Sequence, residues 1–225
     1  MNEPRIIPDP AEPTSLRPAF ADDPEEGRTR SVTALVIVDA QNDFSEGGAL
    51  AVSGAVAAYQ AMGVHVVGRA GKYSLLVTTR DEHVDPGDHF AAEPDFVDSW
   101  PVHCVAGTRG AALHPLALRV TDLFAEVNPH AEWIEVTKGA YCAAYSGFEG
   151  ATAAGVGLAE ALRAAGVERI DVCGVATDHC VRATVLDGLR EGFEVHVPTG
   201  LIAAVDPDRG AAALAEMADA GAIVE

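Results

Sequence analysis

Cys180, Lys138 and Asp39 could combine as a nucleophile, a cation and a proton carrier. A carboxylate can take a thiol proton and later give it to a leaving amine, so no separate histidine base is needed. The setting of Cys180 fits this chemistry. Ile170–Val175 is an apolar, β-branched run short enough for a buried strand, and Val181, Val185, Leu186 and Leu189 then recur at helical spacing. Thr177 or Asp178 can cap that helix, which puts Cys180 in its first turn. The helix start favours a thiolate, and the N–H groups around Ala176 to Cys180 can hold an oxyanion. A helical cysteine is also a common small core residue, so the motif alone decides little. Lysine is scarce, with Lys72 and Lys138 the only two. Its ammonium can be tuned where a guanidinium cannot. Lys138 draws interest through its company, and Lys72 has none.

A second set of side chains suits a metal. Asp81, His83, His89 and His103 supply one carboxylate and three imidazoles within one Pro-rich stretch. Such donors match one divalent ion of borderline softness, Zn²⁺, Fe²⁺ or Mn²⁺. Asp85, Asp88 and Glu82 are competing carboxylates nearby, and exposed loop histidines are the plain alternative. His65, His114, His130 and His196 have no such company and read as surface or packing residues, as does His179 as a capping or supporting histidine.

These residues need elements to hold them. Buried strands are expected at Ala34–Val38, Ser74–Thr79, Glu132–Val136, Ile170–Val175 and Phe193–Val197, with a short last strand at Ile223–Val224. Helices are expected at Ala55–Gly68, Gly110–Leu118, Thr152–Ala165, after Cys180, and at Asp208–Ala220, with Gly166 as a C-cap. His83–Val105 reads as a long functional loop. Alternating strands and helices imply right-handed crossovers, hence a three-layer α/β fold with a central parallel sheet. Ligands in such sheets bind beyond the carboxyl ends of the strands. Asp39, Asp81, Lys138 and Cys180 each fall just past a strand end, so they belong to one edge of one sheet.

Composition bounds the rest. Residues 1–30 are rich in Pro, Asp, Glu and Ala and read as an extension, with the folded hydrolase domain expected over 31–225. A net charge of −19 argues against nucleic acid and anionic membranes as partners. No apolar run is long enough to span a bilayer, the start lacks a secretory pattern, and the four cysteines lack framework spacing, which together point to the cytoplasm. Self-assembly into a homo-oligomer stays open.

Five segments, in order, carry a resemblance: Val36–Phe44 (VIVDAQNDF), Thr79–His83 (TRDEH), Trp100–Thr108 (WPVHCVAGT), Lys138–Phe148 (KGAYCAAYSGF) and Gly174–Val181 (GVATDHCV). With them the chain resembles the nicotinamidases of the isochorismatase-like cysteine hydrolase superfamily. The resemblance implies a triad of Asp39, Lys138 and Cys180, and a metal held by Asp81, His83, His89 and His103. It further implies a cis peptide between Val175 and Ala176, an oxyanion hole from the N–H groups of Ala176 and Cys180, and a pyridine ring held by Phe44, Trp100 and Tyr145. The implied activity converts nicotinamide, and pyrazinamide with it, to the acid and ammonia through a thioester on Cys180, a step in NAD salvage. A cysteine amidase for another small amide, and a non-catalytic metal or pyridine binder on the same fold, are the alternatives. Glu82 and Cys142 fill variable positions, and the N-terminal extension departs from the pattern.

Overall fold

Every residue of Thr33–Val38 (β1) is buried, as a strand must be when helices cover both faces of its sheet. The computed structural model describes residues 32–225, and the expected extension over 1–30 lies outside the described residues. Side chains of β1 alternate between two apolar clusters. Leu35 and Ile37 pack beneath helices α1 (Ala55–Gly68) and α2 (Pro115–Val127). Ala34, Val36 and Val38 pack on the other face, beneath α3 (Leu158–Ala164), α4 (Arg182–Arg190) and α5 (Pro207–Asp219).

The remaining strands are β2 (Tyr73–Asp81), β3 (Glu132–Lys138), β4 (Arg169–Val175), β5 (Glu194–Val197), β6 (Ile202–Ala203) and β7 (Ile223–Val224). They run in the order β3-β2-β1-β4-β5-β7, all parallel, with β6 pairing the carboxyl end of β4 beyond β5. The chain builds outward from β1 through β2 to β3, then returns to the other side of β1 with β4. The order therefore reverses between β1 and β4, which is where such sheets open a crevice for ligands. Here the two strands lie close together. Val38 is the register partner of Gly174, whose φ is +116° and where an added Cβ would sit 2.1 Å from the Val38 carbonyl oxygen.

Two helices differ from the sequence reading. Gly110–Leu118 was the expected range, yet α2 starts only at Pro115. Proline is preset for a first helical position, and His114 Nδ1 accepts the Leu116 N–H. The apolar face then continues through Ala117, Val120 and Phe124. Thr152–Ala165 forms a helix only from Leu158, because Gly155 is left-handed (φ +79°) and Ala151 is tied to Thr137 and Gly157. Gly166 does close α3, at φ +69°.

Candidate active site

Asp81 and Lys138 are the last residues of β2 and β3 and face each other in register. Asp39 is the first residue beyond β1 and takes a left-handed backbone, φ +48°, that is uncommon without glycine. After β4 and a cis Val175–Ala176 peptide, the chain turns through one π-helical turn, Thr177–Val181, before α4. Cys180 lies in that turn. Neither Thr177 nor Asp178 caps the helix that follows, a correction to the sequence reading. Asp178 accepts instead from the N–H groups of Val205 and Asp206, and so docks the segment between β6 and α5. The helical periodicity also shifts, with Val181, Thr184, Val185 and Gly188 as the buried face.

The four side chains meet. Lys138 Nζ lies 2.9 Å from Asp39 Oδ2, 2.5 Å from Asp81 Oδ1, 3.1 Å from the Ala144 carbonyl and 3.8 Å from Cys180 Sγ. All four are buried. Asp39 Oδ2 pairs with the ammonium by distance but, among the described residues, has no partner at hydrogen-bond geometry. A charge pair needs no strict angle, so the two attract at this distance all the same.

The electrostatics follow from two carboxylates sharing one ammonium away from water. Burial acts against the Lys138 charge, but Asp39 and Asp81 hold its pKa well above the ordinary value. Burial alone would raise Asp81, yet Lys138 and His83 hold it down at about 2. Asp39 ends raised, because burial and the nearby Asp81 charge outweigh Lys138. Burial pushes the Cys180 thiol well above its usual value, with Lys138 opposing. Burial thus favours the proton on sulfur, opposing the preference of a helix start for a thiolate.

Beside this group, His83, His89 and His103 bring nitrogen atoms within 4.8 Å of one another, all buried. His83 Nδ1 is 2.6 Å from the Gly139 carbonyl and His103 Nδ1 is 2.8 Å from the Pro101 carbonyl. Each nitrogen therefore carries the proton, and each Nε2 presents a lone pair. His83 Nε2 and His89 Nδ1 are buried without hydrogen-bond partners. Burial and the neighbouring imidazoles pull His89 down to about 4, and burial lowers His103, so both are neutral at neutral pH. Asp81 Oδ2 lies 3.7 Å from His83 Nε2, while its other oxygen serves Lys138. Three clustered imidazoles, two with unpartnered buried nitrogens, beside one carboxylate fit a divalent ion.

A cleft of about 440 Å³, mouth included, opens onto these groups. Asp81, His89, His103, Ala176 and Cys180 line its base, and Phe44, Trp100 and Tyr145 its walls. Trp100 Nε1 donates to Tyr145 Oη at 3.0 Å, which fixes the two rings against each other. His179 also faces the cleft, edge-on to Trp100 at 5.1 Å between ring centres, and so forms a wall, not only a support.

Several supporting residues escaped the sequence reading. Thr79 bonds the Asp39 carboxylate. Gln41 donates to the Asp81 carbonyl and accepts the Asp81 N–H, both at 2.8 Å. Gly139 (φ +76°) leaves room for His83, since a Cβ there would lie 2.7 Å from the imidazole. Asp43 accepts the Cys104 N–H at 2.8 Å and anchors the turn carrying His103. Lone Thr, Gln and Asp in such stretches carry no chemical signature.

A doubly wound sheet with a buried thiol, ammonium and carboxylate at its switch point defines a thiol-centred α/β protein. Residues 33–225 match the Isochorismatase domain, and the chain belongs to that family. It is 47% identical to the nicotinamidase/pyrazinamidase of Mycobacterium tuberculosis over 184 residues, 82% of this chain and 93% of that protein. A pyrazinamidase of Pyrococcus horikoshii, solved in complex with zinc, matches with TM-score 0.67 and 35% identity, covering 86% of this chain and 98% of that one. An L. infantum protein solved in complex with nicotinate matches with TM-score 0.68 and 32% identity, covering 88% of this chain and 93% of that one.

Proposed function

We propose that the protein is a metal-dependent cysteine amidohydrolase that converts nicotinamide, and pyrazinamide with it, to the carboxylic acid and ammonia. The observation carrying this reading is the contact of Asp39 and Lys138 with Cys180, which lines a cleft also lined by Phe44, Trp100 and Tyr145. The relatives named above support the substrate class.

In this reading Asp39 takes the Cys180 proton as the sulfur attacks the carboxamide carbon. The buried Lys138 ammonium stabilises the anions that form. The N–H groups of Ala176 and Cys180 receive the oxyanion. Asp39 then gives its proton to the departing ammonia, leaving a thioester on Cys180. It next takes a proton from water, which hydrolyses the thioester and frees the acid and the thiol. Phe44, Trp100 and Tyr145 hold the ring. Asp81, His83, His89 and His103 would hold one divalent ion, Zn²⁺, Fe²⁺ or Mn²⁺. Such an ion supplies an electrophilic contact for the ring nitrogen and withdraws electron density from the ring.

We take residues 31–225 as the hydrolase domain, acting on a small molecule in the cytoplasm. Among the described residues all four cysteines are free, and no helix is long and apolar enough to cross a membrane. The test compares nicotinamide, pyrazinamide and benzamide at equal concentration. Nicotinamide and pyrazinamide should each yield ammonia and acid in equal amounts, and benzamide, lacking a ring nitrogen, at least about tenfold more slowly. Equal rates for all three would remove the ring-nitrogen contact from the account. No turnover of any would point to another small amide.

A further inference from the structure

A carboxylate has two equivalent oxygens, and rotation about χ2 exchanges them. Something must decide which oxygen of Asp39 faces the thiol. Thr79 lies fully buried in β2, with its hydroxyl 2.6 Å from Asp39 Oδ1, to which it donates. The same hydroxyl oxygen accepts the Asp39 N–H at 3.2 Å. It thus bridges the amide and the carboxylate of a single residue, which itself has a left-handed backbone. Its only proton is committed to Oδ1. Oδ2 is left with the Lys138 ammonium at 2.9 Å and no well-formed hydrogen bond. A carboxylate oxygen of Asp39, one of Asp81 and Cys180 Sγ lie within 4.8 Å of one another.

We infer that Thr79 is a positioning residue, which anchors Oδ1 and so turns Oδ2 to the Cys180 thiol as the oxygen that receives its proton. The inference rests on the hydrolytic reading above. In the step it serves, the S–H bond breaks, an O–H bond forms on Oδ2, and the electron pair stays on sulfur. The hydrogen bond from Thr79 fixes rotation about χ2, so the two oxygens do not exchange places. The methyl group of Thr79 plays no part in this, so a hydroxyl without it should suffice.

Two substitutions separate hydroxyl from shape. Thr79→Val keeps the branched outline and removes the donor, and Thr79→Ser keeps the donor. Thr79→Val should lower kcat for nicotinamide by about 10- to 100-fold, with KM within about twofold and metal content unchanged. Thr79→Ser should stay within about threefold of the parent. A second readout needs no substrate: the rate at which iodoacetamide alkylates Cys180 at neutral pH, followed by mass spectrometry of that peptide. It should fall about tenfold in Thr79→Val and recover in Thr79→Ser. A parent protein that is alkylated normally but leaves nicotinamide intact would count against the substrate, and the alkylation arm would still decide the role of Thr79. Parental rates in Thr79→Val, a loss that serine does not rescue, or a matching fall in metal content would each overturn the inference.

Discussion

At the scale of single residues the site depends on side chains that have room because others are missing. Gly139 is the clearest case. Its left-handed backbone and absent Cβ let His83 sit against it with Nδ1 on the Gly139 carbonyl. In Gly139→Ala the new Cβ would need the imidazole or the backbone to move, since neither can give 2.7 Å to a Cβ contact. Affinity for a divalent ion should fall roughly 10- to 100-fold, as when a supporting contact of a metal ligand is lost. Titration of the apo protein with Zn²⁺ measures this, and unchanged affinity would exclude His83 from the ligand set. Residue roles were legible to the extent that their types are chemically rare. A lysine in a chain with two, and histidines crowded into one loop, stand out. Thr79 and Gln41 do not, because threonine is an ordinary strand former and the value of Gln41 appears only when Asp81 is folded against it. Lys72 is the reverse case. It had no visible company in sequence, yet its Nζ lies 2.5 Å from Asp171.

At the scale of elements, that pair shows how the other end of the sheet is held. Asp171, in β4, is buried and bonded by Lys72, by Tyr73 Oη at 2.7 Å and by Arg169 Nε at 2.8 Å. Burial would raise its pKa, but Arg169, Lys72 and Tyr73 together hold it below the ordinary carboxylate value. A carboxylate with a lowered folded pKa contributes stability that is fully present above its unfolded pKa, about 3.9, and lost as pH falls through the folded value. Asp171→Asn should therefore cost about 1–3 kcal/mol at neutral pH, and the difference from the parent should shrink below about pH 4. Urea unfolding of both proteins between neutral pH and pH 3 checks this, and a difference independent of pH would remove the charge from the explanation. The strands were legible because β-branched apolar runs bounded by polar residues have few other uses. Helix ends were less so. The start of α2 depends on the His114–Leu116 bond, and α3 is shortened by strand-like bridges of Ala151. The first is a local cap by a residue type seldom used as one, and the second ties Ala151 to β3, a contact between segments that pattern reading does not see.

At the scale of the whole molecule, strand order does the assembling. Because the order reverses between β1 and β4, Asp39 and Cys180 emerge side by side although far apart in sequence. β2 and β3 deliver Asp81 and Lys138 to the same edge. This gathering was legible from sequence, because parallel strands put all their carboxyl ends together. What was not legible is the state of the gathered groups. Burial favours the proton on the Cys180 sulfur, and Asp39 is placed to take that proton during the attack. The most direct test measures ammonia release from nicotinamide by the parent protein and by Cys180→Ala, both prepared to the same metal content. The account predicts turnover by the parent and a loss of at least about 10⁴-fold in the variant, with its metal retained. A variant within about tenfold of the parent would show that Cys180 is not the nucleophile and contradict the account.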